Sequence, residues 1–317
     1  MTMVHMIGKG GISAKIIADS VSPFGKRITT FELEYPRFIH SELMTHRLFS
    51  RNSSSTRAIP VQRMVELVQE NTATPIHWGE NNPGMQSNKE LDATRKEAAK
   101  GLWYSALNSA VSFAKVMSDK IGINGHKQWV GRILEPFTMM KVVLTATEFN
   151  NFWWLRDHAD AQPEIKELAT VMKKAYELST PVKLDVKQWH MPYVVSKIEK
   201  GKQTFWLNEE TQLTLEQALK VSVSCCAQVS YRKLDDTLEK AEKIFSMLHL
   251  NDNSGAPSHA SPTEHQATPM SVDTAQDCNG ETWDPGVTHV DRSGKLWSGN
   301  FQGWIQYRKL IPGEAVW

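Results

Sequence analysis

AKIIADSVSPFGKRITTFELEYP, residues 14–36, carries two β-rich runs, around 14–19 and 28–35, separated by Pro23 and Gly25. Extended runs flanking a Pro/Gly turn predict a β-hairpin. After Pro36, RFIHSELMTHRLF sets Phe38, Ile39, Leu43 and Met44 at helical spacing, which predicts a short helix with His46 and Arg47 near its end, facing a site. The stretch THRLFSRNSSSTR, residues 45–57, then gathers three arginines, one histidine, one asparagine and four serines, and reads as a donor-rich loop. Arginine meets a phosphate with two parallel N–H bonds, and short hydroxyls complete such a cradle. The same composition also suits a solvated loop whose serines cap the next helix.

Residues 61–71, 88–121 and 126–149 read as helices, the last two separated by GINGHK. QPEIKELATVMKKAYELS reads as another, with its proline in the first turn, where a missing N–H costs nothing. Residues 190–206 read as β-rich, 211–229 and 234–250 as helical, and 251–295 as a long polar loop of a kind that is usually functional or disordered. The tail 296–317, with Trp304, Gln306, Tyr307 and Arg308, reads as a covering segment or an aromatic strand. The sum is one α+β domain, 1–317, a helix-rich body with a small, mostly antiparallel sheet.

With 317 residues, 40% hydrophobic, the chain is long enough for a sizeable core. The 36 basic and 35 acidic residues leave no general excess for a nucleic-acid polymer, so any anion site is local. Three cysteines without a CxxC pair form neither a disulfide framework nor a zinc site, which suits a reducing compartment. No signal-peptide run and no eighteen-residue apolar stretch occur, so a cytoplasmic enzyme without a membrane span is expected.

The spacing of His46, Arg47, Ser55 and Arg57, with Asn52 between, resembles the R-H-R-x7-S signature of the flavin-dependent thymidylate synthases, with Thr45 in place of the first arginine. GRILEPFTMMKVVLTATEFNNFWWLRDHADAQPEI, residues 131–165, resembles a second block of that family. There an Arg-Ile/Val-x-x-Pro turn leads through a helix to Asn, Leu-Arg and Ala-Gln-x-Glu-Ile, here Arg132, Asn151, Arg156, Gln162, Glu164 and Ile165. A structural reading of this block leaves Arg156 without a partner. A third block, CAQVSY (226–231), a helix and HASPTEH (259–265), resembles the family's N-terminal elements, relocated here to about 222–270. The chain thus resembles a rearranged, divergent member.

The resemblance implies methylation at C5 of deoxyuridylate, with FAD as cofactor and NADPH and 5,10-methylenetetrahydrofolate as co-substrates, in a homotetramer whose sites lie between subunits. By matched position it implies Arg156 and Ser55 as catalytic residues and Glu42, Ser55, Arg57, Arg132 and Arg156 around the nucleotide. His46, Arg47, Asn52, Asn151, Ser230, His259, Ser261 and Glu264 would hold the flavin. Cationic donors in a water-poor site can polarise a pyrimidine without a covalent cysteine, and Cys225 and Cys226 read as small buried hydrophobes. Glu42, where the family often has glutamine, and Ser53, in place of a common glutamate, keep open another C5 modification, such as hydroxymethylation, of dUMP or dCMP. Thr45 keeps open a nucleotide-binding protein without turnover. A metal bound by His259, Glu264 and His265 lacks both HExxH and a closed ligand set, and none is expected.

Overall fold

The structure, a computed structural model, describes residues 4–208, 210–229, 234–249, 259–278 and 283–314. Its centre is a sheet formed by β1 (His5–Ile7), β2 (Ser13–Val21), β3 (Arg27–Pro36), β4 (Ser50–Ser53), β5 (Met139–Ala146) and β6 (Val182–Lys183). The antiparallel order is β1-β2-β3-β5-β4, and β6 runs parallel to the far end of β2. β2 and β3 are the expected hairpin, turned at Gly25 with φ +80°, where glycine bears no steric cost.

Alternation along the strands decides what each face meets. Phe31, Leu33 and Tyr35 on β3 face Leu144, Val142 and Met140 on β5, and with Ile12, Ala14 and Ile16 they pack on helices. These helices are α1 (His40–Met44), α5 (Asn150–Arg156) and α6 (Pro163–Leu178), which contributes Ile165, Leu168, Ala169, Met172 and Ala175. Pro163 opens α6, and the Gln162 side chain accepts from the Glu164 and Ile165 amides. A register shift between Ile16 and Ala18 of β2 brings Ser20 to the opposite face, which also carries Ile28, Thr30 and Thr145. The C-terminal third covers that face, with Leu184, Ala267, Phe301 and Trp304 packed on Ile28.

To one side, α2 (Val61–Glu70), α3 (Ala93–Ser118), α4 (Lys127–Val130) and the 3-10 segment Gly131–Phe137 share a second core containing Met64, Val68, Leu107, Val111 and Leu134. The remaining elements are β7 (Val195–Glu199), β8 (Lys202–Leu207), β9 (Thr211–Leu213), α7 (Leu215–Ala227), α8 (Leu238–Met247), β10 (Ala267–Pro269), β11 (His289–Val290), β12 (Leu296–Ser298), β13 (Phe301–Gln302) and β14 (Trp304–Gln306).

Four sequence expectations change. The helix expected over 126–149 is only α4 and a 3-10 run, after which β5 lies between β3 and β4. β5 is buried on both faces at Val142, Val143, Leu144, Thr145 and Ala146, and a continuous apolar run of that kind has no period to separate strand from helix. Residues 50–53 of the donor stretch form the edge strand β4, and 211–213, expected as helix, form β9 before α7. The loop expected over 251–295 contains in its described part the 3-10 turn Ser261–Glu264, β10, the 3-10 turn Ala275–Cys278 and β11, with His265, Gln266 and Ala267 fully buried. The tail is a strand as well as a cover, because β14 pairs with β10. No described helix is long and apolar enough to cross a membrane.

Candidate functional site

The signature turn is held from behind by an arginine that sequence reasoning passed over. From β4, Arg51 Nη1 donates to the carbonyls of Leu43 (3.0 Å) and His46 (3.1 Å), which also accept the backbone N–H groups of His46 and Phe49, so the guanidinium braces the turn where α1 ends. The chain therefore folds back tightly, and the His46 ring stacks on Phe49 and meets Phe152 edge-on at 4.9 Å.

Arg156, at the end of α5, is not unpartnered. Its Nε donates to His46 Nε2 at 3.0 Å and its Nη2 to Thr45 Oγ1 at 3.3 Å, and its Nη1 lies 3.8 Å from the Glu42 carboxylate. Accepting at Nε2 places the neutral imidazole's proton on Nδ1. Burial, then the charges of Arg156 and Arg51, push the His46 pKa down to about 4, so the ring is neutral at pH 7. Burial raises the Glu42 pKa, opposed by Arg156 and reinforced by Glu164. Thr45, where the signature has arginine, also donates from its hydroxyl to the Glu42 carbonyl at 2.7 Å, closing the end of α1. Glu42 and Arg156 line a cavity of about 870 Å³, walled further by Ile76, His77, Gln86 and Gln162, within the size range of small-molecule sites.

On the other face of β4 the distant block 259–265 arrives. Asn52 meets Ser261 Oγ at 3.5 Å and His265 Nε2 at 3.1 Å, and with its amide turned over it donates to Ser261 O, Arg51 O and His265 instead. His265 Nδ1 bonds Thr145 Oγ1 (2.9 Å), which bonds Thr30 Oγ1 (2.7 Å). Thr30 bonds His190 Nε2 (2.8 Å), and His190 Nδ1 bonds Ser20 (3.0 Å). This buried polar chain crosses the sheet from β4 to β2, and desolvation pushes both histidines down to about 3. Glu264 pairs with Arg308, and Gln306 Nε2 donates to Ser50 Oγ at 3.2 Å and Asn300 Oδ1 at 3.0 Å. The would-be metal ligands His265 and Glu264 are thus committed to protein partners.

Arg132 forms a third group. It donates to Glu135 at 3.0 Å, and the same carboxylate oxygen accepts from Thr56 Oγ1 at 2.7 Å and lies 3.2 Å from Arg37. Ser55 is half-buried and Arg57 exposed along this rim. Among the described residues Arg156 contacts Glu42, Thr45 and His46, and not Ser55, Arg57 or Arg132. Arg47, Asn151, His259 and Ser261 are exposed. Ser230 lies outside the described residues, and its neighbour Val229 lines a separate cavity of about 680 Å³ with Trp189 and Tyr193. Thr30, Thr145 and His190 gave no sequence signal, because a buried threonine in a strand looks like any β-former.

The turn before the edge strand β4 thus sets a neutral histidine under an arginine beside a cavity of about 870 Å³, in an α+β fold. The chain belongs to the thymidylate synthase complementing protein family, whose model matches residues 12–182. The block 222–270 lies beyond that match. Among solved structures, it is similar to the UMP/dUMP methylase PolB from Streptomyces cacaoi. The form bound with 5-Br UMP is 18% identical with a TM-score of 0.42, covering 52% of this chain and 88% of that one. The form bound with 5-Br dUMP is 23% identical with a TM-score of 0.39, covering 49% and 68%. No curated protein matches the chain.

Proposed function

We propose that the chain is a flavin-dependent enzyme that modifies C5 of a pyrimidine deoxynucleoside monophosphate, with methylation of dUMP to dTMP as the first reading. Family membership supports the class, and one observation carries the reading to this site. The signature turn, Arg156 and the HASPTEH block, separated by as many as 213 residues in sequence, meet around α1 and the two faces of β4. The same meeting supports a rearranged order of blocks, because a segment placed after the signature in the chain packs directly against it.

Arg156 would face the pyrimidine edge, with N–H groups left after its bonds to His46 and Thr45, and would stabilise negative charge developing on the ring. Ser55, Arg57 and Arg132 would take the phosphate. The exposed donors Arg47, Asn151, His259 and Ser261, beside the neutral His46 and the turnable Asn52 amide, fit the donor needs of a dinucleotide such as FAD. A bound flavin would carry reducing equivalents from NADPH, and methylenetetrahydrofolate would supply the carbon. Cys225 and Cys226 are unsuited to act as nucleophiles, because both are buried and burial pushes the Cys225 thiol up to about 12.

Glu42 favours a second reading. A half-buried carboxylate beside Arg156 suits a base that offers an amino group better than one that offers a carbonyl, which keeps dCMP as a substrate and hydroxymethylation as an outcome. Titration of the purified protein with FAD, then single turnover on dUMP and dCMP read by mass, tests both. Flavin binding with a mass gain on one nucleotide is expected. No flavin binding and no mass gain would leave a nucleotide-binding protein without turnover.

A further inference from the structure

The separate cavity of about 680 Å³ lies between β2, β3 and the segment 189–196, on the sheet face opposite α6, and shares no wall residue with the cavity beside Arg156. Leu184, Trp189, Met191 and Val194 give it apolar walls. Tyr193 reaches across to donate from its hydroxyl to Glu32 Oε2 at 2.9 Å, from a backbone at φ +66° that is unfavourable for a bulky residue. The acids in the wall are committed, Glu32 to Tyr193 and Asp19 to Arg27, Thr29 and Ser179. The two lysines are not. Lys15, half-buried, and Lys141, exposed, line the cavity with no carboxylate partner among the described residues.

Proton counting along the buried polar chain settles the state of one more wall group, the Ser20 hydroxyl. Only with its amide turned over does Asn52 serve the carbonyls of Arg51 and Ser261, and it then donates to His265 Nε2. His265 is neutral, so its one ring proton sits on Nδ1 and goes to Thr145. Thr145 accepts there and gives its single proton to Thr30, which gives its own to His190 Nε2. His190, also neutral, then carries its proton on Nδ1 and donates to Ser20 Oγ. The Ser20 proton is left over. Ser20 is 5% exposed and lines the cavity, and among the described residues its hydroxyl has no partner besides His190.

We propose that this cavity binds an elongated aromatic anion, with a hydrogen-bond acceptor at its Ser20 end and its negative charge at Lys15. Apolar walls with a few placed polar groups are the usual make-up of a small-molecule site. Ser20 and Lys15 are separated by roughly 16 Å of strand, at about 3.3 Å per residue, less the reach of the lysine side chain. That span suits a fused two-ring body with one group at each end. Because the cavity and Arg156 lie on opposite faces of the sheet, the ligand is not a co-substrate of chemistry at Arg156, and the site is independent of the nucleotide reading.

Calorimetry of the full chain with 6-acetyl-2-naphthoate, 6-ethyl-2-naphthoate and the neutral 2-acetylnaphthalene tests it. The acetyl naphthoate should bind at one saturable site, and the other two, lacking the acceptor or the charge, roughly three- to tenfold more weakly. Ser20→Ala should weaken the acetyl naphthoate by the same factor and leave the ethyl compound unchanged, whereas Lys15→Met should weaken both naphthoates and spare 2-acetylnaphthalene. Nitrogen-15 ring shifts should show His190 and His265 both protonated at Nδ1. No saturable binding of the acetyl naphthoate, equal losses for both naphthoates in Ser20→Ala, or His190 protonated at Nε2 would overturn the proposal. So would displacement of the probe by dUMP, which would place it in the cavity beside Arg156. If Ser20→Ala does not fold, the three compounds and the ring shifts of the wild-type chain decide the matter.

Discussion

Lowering the pH from 8 to 5 should cost this protein about 4 kcal/mol of stability through two buried histidines alone. His190 and His265 are 1% and 0% exposed, and each has a pKa of about 3 in the folded chain against 6.5 for a free imidazole. The folded values lie below the unfolded ones, so between pH 6.5 and 3 the unfolded chain binds more protons. Stability is therefore complete above pH 6.5 and is lost as the pH falls. At pH 5 an unfolded histidine is almost fully protonated while its folded counterpart is neutral, which is worth about 2 kcal/mol per ring at roughly 1.4 kcal/mol per pH unit. The pair then removes a large part of the ~5–15 kcal/mol typical of a folded protein. Urea unfolding followed by tryptophan fluorescence at pH 8 and 5 measures the loss. His190→Gln and His265→Gln should each reduce the loss by about 2 kcal/mol, and the double variant should keep chiefly the loss that His40 and His46, both pushed down to about 4, contribute. Equal losses in the wild type and the double variant would refute the reasoning, because the rings would then have to accept protons inside the fold.

Arg156→Ala should raise the His46 pKa from about 4 towards the ordinary value by removing the nearer positive charge, as read from its ring proton shifts on titration. The same variant should lower turnover more than nucleotide affinity, as measured by single-turnover kinetics and calorimetry. Arg57→Ala should weaken nucleotide binding by roughly ten- to a hundredfold in calorimetry, the loss expected for a charge-assisted contact of about 1.5–3 kcal/mol. Thr145→Val should cost about 1–3 kcal/mol in urea unfolding, because it leaves His265 Nδ1 without its partner and Thr30 Oγ1 with His190 alone. Iodoacetamide at pH 8 should leave Cys225 and Cys226 unlabelled in peptide mass spectra of the native protein, since both thiols are buried and shifted upward.

What could be read from the chain was what is encoded locally. The β2–β3 hairpin, α1 before His46 and the proline-led start of α6 each rest on signals within a few residues. β5 could not be read that way, because burial on both faces erases its alternation, and β4 is too polar to look like a strand at all. The block 259–268 has loop composition because its buried residues include His265, Gln266 and Thr268, and what makes such burial tolerable for His265 is a pair of partners, Asn52 and Thr145, far away in sequence. For the candidate site, motif spacing singled out His46 and Arg156 but did not show that one donates to the other. It also missed Arg51, whose guanidinium closes the turn that carries the signature histidine.

The sheet takes its two coverings from opposite ends of translation. Its helical side is complete once α6 has been made, but the face bearing Ser20, Ile28, Thr30 and Thr145 has no cover until the segments from Leu184 to Ile311 leave the ribosome. At roughly 5–20 residues per second, those ~130 residues occupy on the order of 6 to 26 s. For that interval the nascent chain exposes Ile28 and a row of hydroxyls whose histidine partners, His190 and His265, do not yet exist, so chaperone binding should concentrate on ribosomes stalled after Lys183 and disappear once β14 has emerged.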